Sequence, residues 1–178
     1  MYQEEVADLT AAHLREHIGA LLTATQAIYN DKVVLQHPKA IETANLVGGV
    51  YNADPTAMPA YAVDIVNKQF AGDAQAGLWL FLYEGHIAGV LSGASESSVN
   101  AAIKRHEQAT EKFVKSHQHM HSLASAMGND FRIVELGFSG AAFSGAEQVN
   151  AQNDRELWIA GFRIDLTWVV SEDGPGDY

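Results

Sequence analysis

Apolar and polar positions along this chain follow two different periods. Val6, Leu9, Leu14, Ile18, Leu21, Leu22 and Thr25 recur at spacings of three and four. That spacing predicts one amphipathic helix over Glu4–Ala27. Glu4, Glu5 and Asp8 lie in its first turns, where the helix dipole favours acids. The last long run, Leu157–Val170, has a period of two from Phe162 onward. Phe162, Ile164, Leu166, Trp168 and Val170 share one face; Arg163, Asp165, Thr167 and Val169 share the other. Such a strand rests one face on a core and holds the other near water. At ~3.3 Å per residue the run would span roughly 46 Å if straight, against about 40 Å for a compact monomer of this length. The strand is therefore expected to bend near Gly161 or to project, its Trp158 end and the preceding loop reaching toward a neighbour. A projecting strand leaves backbone groups that a second subunit can pair.

Between these runs, Lys32–Leu35 reads as a short strand. Residues 36–58 read as a long arm, with the Gly48–Gly49 pair and one turn of helix near Ile41–Leu46. Irregular segments of that length in compact domains usually have a function. Ala60–Phe70 follows Pro59 as a strand, Gly72–Asp73 make a turn, and Leu78–Leu91 is a second long apolar run. Glu84–Gly85 inside it marks a bulge or a tight hairpin turn. Ser95–Ser98 supplies N-cap candidates. Val99, Ala102, Ile103, His106, Ala109, Thr110, Phe113 and Val114 then predict a second helix, with Gly128 as a stop if it runs on to Met127. Phe131–Phe138 is a strand, Ser139–Asn153 a long hairpin loop, and 171–178 a flexible tail. The order predicts a single α+β domain over 1–178, a mostly antiparallel β-sheet covered on one face by two main helices. The first helix is the natural cover for the large residues of the last strand.

The 178 residues carry 22 acidic and 11 basic side chains, a formal charge of −11. No Lys/Arg cluster exceeds Lys104–Arg105, which disfavours a groove that holds nucleic acid by its phosphates. An acidic wall instead lets a duplex pass without sticking. The plainer account of the charge is that it keeps the chain dispersed in water. There is no cysteine, so disulfides, thiolate metal sites and cysteine nucleophiles are excluded. The acidic start is unlike a signal peptide, and no apolar stretch approaches the ~20 residues that span a bilayer.

Candidate chemistry is sparse. His13-Leu14-Arg15-Glu16-His17 matches the H-x-x-E-H pattern of inverted zinc peptidases. His13 and His17 would be ligands one helical turn apart and Glu16 the base, with a third ligand from elsewhere. The competing account is a solvent-facing stretch of scaffold helix, and the chain is read that way. His117, His119 and His121 form a second cluster, but on a helix alternate residues diverge and cannot all reach one ion. Ser92-Gly93-Ala94-Ser95 reads as capping rather than anion binding, since no lysine of a phosphate loop follows. No serine sits in a G-x-S-x-G elbow. No cofactor is expected. A small hydrolase using the H-x-x-E-H segment, and a small-ligand-binding domain using the Leu78–Leu91 face, stand as alternatives to a purely structural chain.

In element order and strand patterning, the helix Glu4–Ala27, the segment Pro59–Ser95, the helix Ser98–Val114 and the pair Phe131–Phe138 and Leu157–Val170 resemble the tail terminator and tail-completion (neck) proteins of long-tailed bacteriophages. The resemblance implies a non-enzymatic virion protein, made in the bacterial host's cytoplasm. It implies a homo-oligomeric ring, a hexamer, that caps the tail tube and meets the head's connector, with sheath protein beside it if the tail is contractile. DNA would pass through its lumen without specific binding, and no membrane is involved. On this basis the expected contacts are Gln36, Asn45, Tyr51 and Met58 on the arm. Phe143, Gln148, Asn153, Arg155 and Trp158 are those on the closing loop and strand.

Overall fold

The computed structural model describes residues 3–43, 55–73, 77–118, 131–150 and 156–173. The fold is α+β, as the patterning predicts. Helix α1 (Gln3–Ile28) leads into strand β1 (Ala40–Thr43), then β2 (Ala60–Asp73), β3 (Leu78–Gly93), helix α2 (Glu96–Ser116), β4 (Phe131–Asn150) and β5 (Glu156–Asp173). The five strands form one sheet in the order β1-β2-β3-β5-β4. Only the β1–β2 pair is parallel.

The large face of β5 is where its pattern puts it. Phe162, Ile164, Leu166, Trp168 and Val170 are all buried, with Tyr83 and Ile87 of β3 beside them. Both helices supply the cover. From α1, Val6, Leu9, Leu14, Ile18 and Leu22 turn inward, and the Trp168 indole N–H donates to Thr10 Oγ1 at 3.0 Å. From α2, Val99, Ile103, Phe113 and Val114 join the same core. This helix starts where predicted: the Ser95 side chain accepts from the Ser98 N–H. It ends at Ser116 with His117 as its cap, and any extension to Met127 lies outside the described residues.

Several boundaries differ from expectation. Lys32–Leu35 is not a strand; the Gln26 side chain binds the Val33 carbonyl and the Leu35 N–H (2.7 and 2.6 Å), so a side chain does the work of a sheet partner. Ile41–Thr43 is strand rather than helix, because β2 offers it a parallel edge at Tyr61–Val63. Residues 44–54 of the arm lie outside the described residues. Ser139–Asn150 is not a loop: β4 continues through it, since β5 provides a regular partner that outweighs low strand propensity. The expected turn at Gly72–Asp73 belongs to β2. Ser171–Asp173 is not a tail but the end of β5. There the buried Glu172 carboxylate accepts from Lys68 Nζ (2.7 and 2.9 Å) and from the Tyr83 hydroxyl.

β5 itself runs in unbroken register with β3 through Gly161. The irregularities sit on its other neighbour, where β4 shifts register at three places, one of them between Ser144 and Glu147, opposite Gly161–Ile159. Near Glu84–Gly85 the bulge also falls on the partner, between Ile65 and Asn67 of β2.

Candidate assembly edges and a histidine cluster

Among the described residues, both lateral edges of the sheet lack a flanking strand along part of their length. β1 pairs only with Ala60–Val63, so Asp64–Asp73 of β2 has no strand on its outer side among the described residues. At the other end, the Leu136 N–H of β4 donates to the Gln118 carbonyl at 2.9 Å. From Gly137 onward no strand flanks β4 among the described residues. Apolar side chains stand exposed along both edges: Val66 and Phe70 on β2, and Phe138, Phe143 and Val149 on β4. Phe70 also meets Trp79 and Phe81 of β3 at ring-centroid distances of 6.0 and 5.7 Å, an aromatic trio at the β2–β3 end of the sheet.

The expected contact residues distribute unevenly over these surfaces. Phe143 is 48 % exposed and Gln148 is exposed, both on β4. Gln36 is exposed between α1 and β1. Trp158 is half-buried and packs against the main core, paired across to Gly93 and Gln148. Met58 is a correction: it is buried with Ala62 and Val90 in a small apolar cluster, because Val90 and Ala62 face away from the helices and need their own cover. Asn45, Tyr51, Asn153 and Arg155 lie outside the described residues.

The structure brings His117 of the second histidine cluster to the His13–His17 pair, which sequence spacing kept apart. His13 and His17 lie one turn apart on α1, flanking the buried Leu14 and Ile18, and face the end of α2. His117, the cap of α2, closes the group. Ring centroids are 5.4 Å apart for His13–His17, 5.6 Å for His13–His117 and 4.6 Å for His17–His117. One ligand nitrogen from each lies within 4.8 Å of the others.

The local bonding orients these rings. His117 Nδ1 is 2.8 Å from the Phe113 carbonyl, which can only accept. A neutral ring bonded to this carbonyl holds its proton on Nδ1 and its lone pair on Nε2; Ser116 Oγ lies 2.9 Å from the same Nδ1. The ring also stacks on Phe113 at 4.4 Å. His13 Nδ1 is buried with no hydrogen-bond partner among the described residues. Burial, and then the neighbouring His117 and His17, lower the His13 pKa against an opposing pull from Glu16. The ring is thus held toward its neutral form, the form that offers a lone pair. Glu16 is 70 % exposed, with its carboxylate 3.9 Å from His17 Nε2. His119 and His121 lie outside the described residues. No sequence period could have grouped these three, since His117 reaches the pair only through the packing of α2 on α1.

The remaining polar groups have structural settings. Ser95 caps α2, as read from the sequence. The outer sheet face carries Glu84, His86, Arg163 and Asp165, lining a shallow groove with Val66 and Ser139. Arg163 pairs with Asp165 at 2.9 Å. Among the described residues no helix is long and apolar enough to cross a membrane.

No protein-family model and no curated protein matches the sequence. Among solved structures, a comparison aligns this chain with one described as "Virion of native gene transfer agent (GTA) particle". The two are 12 % identical, the match covers 96 % of this chain and 99 % of that one, and the TM-score is 0.39.

Proposed function

We propose that this chain is a structural, non-enzymatic component of a phage-like virion, a tail terminator or neck protein that assembles into a closed homo-oligomeric ring. The observation that carries the reading is that, among the described residues, no strand flanks β4 from Gly137 or the outer side of β2 from Asp64, on opposite sides of one sheet. An edge strand with exposed apolar side chains is a template for another chain. Two different edges on one molecule favour head-to-tail contacts, which close into a ring when the rotation per subunit allows. A hexamer is the expected size. The ring would cap a tail tube and meet the connector, and a contractile tail would add sheath protein as a neighbour. The −11 charge suits a lumen through which DNA moves without being held.

The hydrolase reading has less behind it. Glu16, which would serve as base, is 70 % exposed, without the water-excluding enclosure that such chemistry uses.

Mass photometry of the purified protein, with cryo-EM of assembled particles, tests the proposal. The expected result is a closed ring, located at the head–tail junction. A chain that stays monomeric at micromolar concentration and is absent from purified particles would sink it.

A further inference from the structure

We propose that His13, His17 and His117 form a binding site for a divalent transition metal of the zinc class, which ties α1 to the C-terminal end of α2. Three observations converge. The three rings come from two helices and place one nitrogen each within 4.8 Å of the others. His117 holds Nδ1 2.8 Å from the Phe113 carbonyl, which leaves Nε2 as its ligand nitrogen. Metal-bound histidines characteristically anchor their second nitrogen in this way, on a carbonyl or carboxylate. His13 meanwhile buries Nδ1 with no partner among the described residues, an arrangement that costs free energy unless something fills the lone pair or takes the proton.

The ligand set selects the ion class. Imidazole suits zinc, copper and nickel, whereas calcium and magnesium take oxygen ligands. At Zn–N distances of about 2.0–2.1 Å, tetrahedral ligands stand roughly 3.3 Å apart. The three nitrogens, now within 4.8 Å of one another, have to close by about 1.5 Å at most to reach that spacing. Three histidines leave a fourth position for water. The ion is a clip in this setting: His13 and His17 sit on α1, and His117 is the C-terminal cap of α2.

The test starts with protein stripped by EDTA and titrated with Zn2+ by calorimetry, with Co2+ absorption as a reporter of tetrahedral nitrogen coordination. The expected result is one ion per chain and a raised melting temperature with Zn2+. Substituting His13→Ala, His17→Gln or His117→Ala should each weaken binding by about tenfold or more. His37→Ala should leave it unchanged. Melting each variant in EDTA separates loss of the site from loss of the fold, and the half-exposed His17 is the substitution least able to disturb packing. Absence of saturable binding overturns the proposal, and so does binding that survives His13→Ala and His17→Gln unchanged. Ring assembly measured in EDTA keeps this result separate from the assembly reading.

Discussion

At the residue scale, the interior holds polar groups whose burial has a measurable consequence. His106 lies fully buried on α2, its Nδ1 2.6 Å from the Tyr61 hydroxyl and its Nε2 without a partner among the described residues. Burial, with a smaller push from His37, takes its pKa from 6.5 down to about 3. The same burial pushes Tyr61 up, so both groups stay neutral. Between these two pKa values the unfolded chain binds a proton that the folded chain refuses. Stability therefore rises with pH across that window and is lost as pH falls below 6.5. His86 and His13 are lowered too, both first by burial, and act in the same direction. Lowering the pH from 7 to 5 should cost about 2 kcal/mol through His106 alone, read from urea denaturation at each pH. The His106→Gln variant should show a shallower pH slope; an unchanged slope would assign the effect elsewhere.

At the element scale, the bulges decide how two long hairpins fit together, and glycine is their counterpart. The β2 bulge between Ile65 and Asn67 brings backbone onto Gly85 of β3. A Cβ at Gly85 would sit 2.0 Å from the Asp64 carbonyl oxygen, a backbone atom that cannot rotate away. The Gly85→Ala substitution should therefore cost about 2–3 kcal/mol or force the bulge to move. At Gly140 of β4 the nearest atom to a Cβ is Asp165 Oδ2 at 3.7 Å, an ordinary contact. There Gly140→Ala should change stability by no more than about 0.5 kcal/mol. Comparing the two unfolding midpoints checks the claim, and equal losses would refute it. The sequence placed the bulge or turn at Glu84–Gly85, inside the Leu78–Leu91 run, whereas the extra residue sits on β2, between Ile65 and Asn67. That depends on the partner, which one strand's pattern does not encode.

At the scale of the whole molecule, the helices cover one face, and parts of the sheet's two sides have no flanking strand among the described residues. Phe143 stands on β4 opposite the buried Phe162, yet is itself 48 % exposed. A Phe143→Glu substitution removes apolar edge surface without emptying the core. Its expected effect on monomer stability is within about 0.5 kcal/mol, as for surface changes generally. Its expected effect on assembly is loss of the ring, by sedimentation or native mass measurement, because a charge on an edge strand blocks pairing. A variant that assembles normally would move the interface away from this edge.

Period and charge alone determined the helix Glu4–Ala27, the start of the second helix, the half-buried β5 and the α+β class. Those are local properties: one face of an element is apolar, and its spacing names the element. What lay beyond the sequence depends on neighbours. Ser139–Asn150 is strand only because β5 lies beside it, and Ser171–Asp173 is ordered because Lys68 and Tyr83 hold Glu172. Met58 is buried because the outer face near Val90 needs a lid. The histidine cluster depends on the packing of α2 against α1. His13 and His17 share a helix face by their spacing, but His117 stands 100 positions further on and meets them only when the two helices pack.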